Sequence, residues 1–99
     1  MAAPVEIAAD IVIEVYENER FVRSKRFDKL CRELNIKGIT IKRYSYRRNR
    51  EQFISNKDVC VLITYAGIEM LPATYVNNNL MKIEAYPTQT ELYKWLDII

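Results

Sequence analysis

Cys31 and Cys60 are the chain's two thiols, and histidine is absent. Thiol–disulfide exchange needs a thiolate, ordinarily one of a Cys-x-x-Cys pair at a helix N-terminus, where the local field lowers its pKa. The two cysteines are too far apart for that pair, for a disulfide framework or for a zinc knuckle. Without histidine, two thiols complete neither a tetrahedral nor a three-thiolate site unless a second subunit contributes. The missing histidines also remove the commonest general base. The expectation is a non-enzymatic chain with no cofactor and no metal ligand.

The residues with more to offer are cationic. Thirteen of the fifteen Lys and Arg residues fall between Arg20 and Lys57, opposed there by Asp28, Glu33 and Glu51 alone, although the whole chain carries only +2. Lys42, Arg43, Arg47, Arg48 and Arg50 are interleaved with Tyr44 and Tyr46, a mixture able to clamp phosphates and stack on bases. Arg20, Arg23, Lys25 and Arg26 crowd the start of a predicted helix. That end disfavours cations, so an acidic or anionic partner would relieve them. A solvated surface, a protein interface and a nucleic-acid interface all remain open for these charges. No helix-turn-helix, zinc-finger or RNA-recognition signature supports the last, and two glycines do not make a phosphate-cradling loop.

The elements that must carry these residues follow from periodicity. The 99 residues suffice for one domain, expected as an arm over 1–10 followed by a single unit over 11–99. No secretory signal or apolar run of membrane-spanning length is present, so a cytoplasmic protein is expected. Residues 11–16 are a β-branched, nearly all-apolar run, read as a central strand, with a loop over 17–21. Over 22–35 the residues Phe27, Leu30, Cys31 and Leu34 recur at helical spacing, which makes Cys31 a packed core thiol. Residues 39–44 alternate as a second strand, parallel to the first.

Asn49 with Gln52 resembles a capping box, and Ser55–Asp58 offers another helix start. Residues 59–65 are β-branched, yet Val59, Leu62, Ile63 and Ala66 form a helical stripe. A helix is expected, since a strand would have to enter the next one through a short turn at Gly67. Cys60, Val61 and Tyr65 then lie off the inward stripe, either packed under a neighbouring loop or facing a partner or a second copy. After Leu71-Pro72 come a strand over 73–76, an asparagine turn, a returning strand over 80–86 with one wet face, and a helix launched by the Thr88/Glu91 capping box. The order β-α-β-α-β-β-α, with a proline before the third strand, predicts a thioredoxin-like three-layer α/β/α domain. In that fold the proline is usually cis and walls a groove.

From about residue 39 onward the chain resembles the arsenical-resistance metallochaperone and repressor family, ArsD. The likeness rests on Ile41-Lys42-Arg43-Tyr44, Phe53-Ile54-Ser55-Asn56-Lys57 and Gly67-Ile68-Glu69-Met70-Leu71-Pro72, followed by Thr74, Val76, the Asn77–Asn79 turn, Tyr86-Pro87-Thr88, Glu91, Leu92 and Trp95. The resemblance implies a thioredoxin-like fold, a cis Leu71-Pro72 peptide, capture of trivalent arsenic or antimony by cysteines between the first strand and first helix, delivery to an ATPase, and weak operon repression. Here that loop, residues 17–20, holds no cysteine, so no metal ligand carries over. The expected function is a redox-inactive accessory or regulatory module that binds a protein partner, such as an ATPase or metal-handling complex. Its expected binding residues are Arg20, Arg23, Arg47, Arg48, Arg50 and the Pro72 groove, with Cys60 and Tyr65 as a separate apolar patch. The alternatives are an ArsD-like nucleic-acid-binding regulator and a metalloid chaperone using Cys31 and Cys60 across a homodimer.

Overall fold

The computed structural model describes residues 11–18 and 25–96. Arg20, Arg23, the 1–10 arm and Ile99 lie outside the described residues. The element order is β1 (Ile13–Glu17), α1 (Lys25–Ile36), β2 (Ile41–Ser45), α2 (Arg50–Ser55), α3 (Lys57–Ala66), a 3-10 turn (Ile68–Met70), β3 (Ala73–Val76), β4 (Asn79–Lys82) and α4 (Gln89–Trp95). The strands form one mixed sheet in the order β2-β1-β3-β4, with β1 parallel to β2 and antiparallel to β3. This is the thioredoxin-like α/β arrangement that the order of periodic segments predicts, and the Leu71-Pro72 peptide is cis.

Alternation along β1 divides the interior. Ile13 and Val15 face an aliphatic core with Phe27, Leu30 and Leu34 of α1 and Leu92 of α4, against which Cys31 and Trp95 pack. Tyr16 faces the other way, into an aromatic core with Phe53, Val59, Met70, Leu71 and Tyr75. Tyr16 stands at its centre, 5.2 Å from the Tyr44 ring, 5.0 Å from Phe53 and 5.7 Å from Tyr75. Burial raises its phenol pKa, and its hydroxyl accepts a 3.0 Å bond from Asn56 Nδ2. Residues 59–65 are helical: Val59 is fully buried, and Leu62 and Ile63 are half-buried against the aromatic core.

Local chemistry sets the element ends. Asn56 caps α3 by accepting the Val59 N–H, and Thr88 and Glu91 complete a reciprocal capping box on α4. Asn77 and Asn78, at φ of +50° and +67°, give the two-residue hairpin turn whose twist suits the flanking strands. Three expectations are corrected. Asn49 precedes α2 but does not cap it, because its Oδ1 accepts the Ser45 N–H at 2.9 Å. Strand β4 stops at Lys82 rather than 86, since the Glu84 N–H leaves the ladder for the Met70 carbonyl at 2.7 Å and Glu84 takes a φ of +68°. In addition, both faces of β4 are open, with Leu80 and Met81 exposed.

The capping box gives a direct test. Thr88→Ala removes the side-chain acceptor for the Glu91 N–H and should cost about 1 kcal/mol, read as a shifted urea midpoint with unchanged slope.

Candidate functional site

The expected groove lies where β1 ends. Tyr16 pairs with Ala73, which sets Pro72 level with Glu17 across the ladder. Glu17 belongs to the strand rather than to the loop assigned from sequence, and both Glu17 and Asn18 are buried. A carboxylate buried there needs a partner. Arg43 supplies it: its Nε donates to Glu17 Oε2 at 2.7 Å and its Nη2 to Glu17 Oε1 at 2.6 Å. Nη1 reaches Asp28 Oδ1 on α1 at 2.7 Å, and Tyr86 donates its hydroxyl to Glu17 Oε1 at 2.6 Å. The guanidinium also lies over the Phe27 ring, 4.9 Å from its centroid, while Phe27 stacks on Tyr86 at 4.7 Å.

The parallel register explains this meeting. Val15 lies opposite Arg43 and Glu17 opposite Ser45, so Arg43 shares a sheet face with Glu17 and reaches it diagonally. Asp28 is one turn into α1 and points at the same face. The hydrogen bonds that Arg43 donates to Glu17 hold its pKa well above its usual value, against the opposing effect of burial. Burial, followed by the bond to Glu17, drives the Tyr86 phenol upward. Both groups keep their protons at any physiological pH. The arrangement is an ion-pair cluster in which both Glu17 oxygens and the Nε, Nη1 and Nη2 of Arg43 are hydrogen-bonded. Sequence reading placed Arg43 in the basic cluster and missed its partners. The available signal was a glutamate closing the strand on the same face as the apolar Ile13 and Val15.

A recess of about 330 Å³ opens beside the cluster, lined by Glu17, Arg43, Tyr86, Ser45, Arg48 and Asn49, among others. Arg47 and Arg48 are exposed on the turn after β2, which Ser45 Oγ ties by accepting both backbone N–H groups at 3.3 and 3.4 Å. Arg50 is committed locally, its Nε donating to the Tyr46 carbonyl and its guanidinium 4.3 Å from the Tyr46 ring centroid. Tyr44 and Tyr46 are turned inward onto Tyr16 and Phe53, not outward as stacking platforms. Pro72 itself is buried, and the neighbouring Met70 carbonyl is occupied by Glu84.

The thiols are apart from this site and from each other. Cys31 is half-buried against the aliphatic core, and burial pushes its pKa up to about 11 despite the nearby Arg43. Cys60 is half-buried on α3, with its Sγ donating to the Phe53 and Ile54 carbonyls. Tyr65 is 86% exposed and Val61 54%, on the outer face of the same helix. Among the described residues, no three His, Cys, Asp or Glu side chains are grouped as a metal site requires, and no helix is long and apolar enough to cross a membrane.

Removing Arg43 would leave Glu17 and Asp28 facing each other without a cation. Arg43→Met should therefore destabilise the fold by on the order of 3 kcal/mol, measured by urea denaturation. A shift within the error of the midpoint would show that the cluster contributes nothing to holding β1, β2 and α1 together.

Comparison with solved structures places this geometry among known relatives. The crystal structure of an arsenical resistance operon trans-acting repressor from Bacteroides vulgatus ATCC 8482 superposes with a TM-score of 0.79 at 21% identity, covering 90% of this chain and 94% of that one. A comparison with curated proteins finds no match. The family model for the arsenical resistance operon protein ArsD matches residues 16–99, spanning β1 from Tyr16, the ion-pair cluster, the basic turn and the cis-proline. The chain belongs to the ArsD family.

Proposed function

We propose that this chain is a non-catalytic regulatory member of the ArsD family that works by binding an acidic protein partner. The contact surface is the basic turn, with Arg47 and Arg48 at its tip, together with the adjoining edge of the Pro72 groove. One observation carries the reading: the position that faces the Leu71-Pro72 peptide holds Glu17 saturated by Arg43 and Tyr86. With chemistry closed off there, the exposed cations at the rim are what remains to engage a partner. Such cations steer association and fix register more than they add raw affinity.

Operator DNA is the second reading, favoured by the likeness to the Bacteroides vulgatus trans-acting repressor. The inward rings of Tyr44 and Tyr46 leave this reading with phosphate contacts at the basic turn and no aromatic stacking from those two residues. A metalloid carrier using Cys31 and Cys60 across a dimer finds less support. The two thiols belong to opposite sides of the sheet, and Cys31 is protonated at neutral pH.

Three measurements follow. Arg47→Glu with Arg48→Glu should abolish retention of the cytosolic partner by immobilised protein at physiological salt, with the circular dichroism spectrum unchanged; undiminished retention would sink the basic-turn reading. Sequence-selective duplex binding that survives added salt would instead select the DNA reading. Cys31, with its pKa near 11, should alkylate with iodoacetamide on the order of a hundredfold more slowly than glutathione at pH 8. Because the thiolate is the reactive form, that rate should keep climbing above pH 9. Labelling at the glutathione rate would contradict a protonated core thiol.

A further inference from the structure

A second recess lies on the other side of Tyr86, between α1 and the connection over residues 85–89. We propose that it is a docking slot for an extended, acidic segment of a protein partner, one carrying an apolar or aromatic side chain between carboxylates. This deepens the partner-binding reading above and rests on it.

The slot is built from α1 outward. Arg26, Lys29 and Glu33 recur at i, i+3 and i+7, so they share a side of the helix bordering the buried stripe of Phe27, Leu30 and Leu34. The facing wall cannot close onto them. Tyr86 is held by its stack on Phe27 and its bond to Glu17, Pro87 is buried, and Thr88 is fixed by the α4 capping box. The space between the walls is about 620 Å³, in the size range of ligand-holding clefts. Phe27, Leu30, Tyr86 and Pro87 line it among the described residues, giving an apolar floor.

Charge selects the occupant. The nearby carboxylates are already engaged: Asp28 is held by Arg43, and Glu91 by Lys82 at 2.7 Å and by the Thr88 N–H at 2.9 Å. Among the described residues Arg26 and Lys29 have no ion-pair partner, and Glu33 is the one acid on the rim. An occupant that complements two cations above an apolar floor brings acids flanking a hydrophobic side chain. Duplex DNA does not fit this description. It presents a convex rod of phosphates with no apolar group to fill the floor, and two cations supply little counterion release.

The test uses the full chain and a fluorescein-labelled probe peptide, Asp-Glu-Leu-Phe-Asp-Glu, with Lys-Lys-Leu-Phe-Lys-Lys as its charge-reversed counterpart. Saturable binding of the acidic probe is expected, with amide shifts in nitrogen-15 spectra concentrated over 26–33 and 85–89. Arg26→Glu with Lys29→Glu should weaken it by about tenfold. Both sites are exposed, and acids in the first turn suit the helix dipole, so the variant should fold. Equal affinity for the lysine peptide, shifts elsewhere, an unchanged double variant, or a short DNA duplex displacing the probe from the same residues would each overturn the slot. If the probe fails while the Arg47/Arg48 variant still loses its partner, the slot falls and the basic-turn reading stands.

Discussion

A guanidinium withdrawn from water must be saturated, and the way Arg43 meets that requirement organises this end of the molecule. Leaving such a group half-paired would cost several kcal/mol. Its fork is filled by Glu17 from β1 and Asp28 from α1, and it lies against Phe27, on which Tyr86 is stacked. One side chain on β2 thus fixes the last residue of β1, the placement of α1 on the sheet and the path of the chain after β4. The same bonds occupy both carboxylate oxygens of Glu17, which lies level with the cis-proline.

The sheet also separates two kinds of interior. The α1/α4 side is aliphatic and contains the ion-pair cluster, whereas the α2/α3 side is centred on Tyr16 and its ring contacts. Tyr44 and Tyr46 are drawn into the aromatic side, and Arg50 lies over the Tyr46 ring. Packing of α2 against β2 thus leaves the exposed Arg47 and Arg48 to give the basic turn its charge. Electrostatic surfaces of that kind discriminate partners by sign and position rather than by shape.

Much of the fold was legible because its signals are local. Phe27, Leu30 and Leu34 mark a helix by spacing, Asn77 and Asn78 mark a hairpin by their tolerance of positive φ, and Thr88 with Glu91 marks a helix start. The ambiguous run over 59–65 resolved as a helix because Val59, Leu62 and Ile63 had an aromatic core to cover. The misread features depended on distant partners. Asn49 looked like a cap until the Ser45 N–H competed for its side chain, and the strand over 80–86 was cut short by a carbonyl at Met70. Glu17 and Arg43 are 26 residues apart in the chain, and only the parallel register of β1 with β2 puts them on one face.

The buried cluster also changes what the surface presents. It takes one cation, Arg43, and two carboxylates, Glu17 and Asp28, out of contact with most of the solvent. That withdraws a net −1, so the rest of the chain carries +3 where the sequence sums to +2. Asp28 is moreover one of only three acids in the basic span from Arg20 to Lys57, and its use inside leaves Arg26 and Lys29 beside it without an ion-pair partner among the described residues. Building the ion-pair cluster and leaving a cationic rim are thus the same structural event. The carboxylates bound to Arg43 are thereby withdrawn from the surrounding cationic surface.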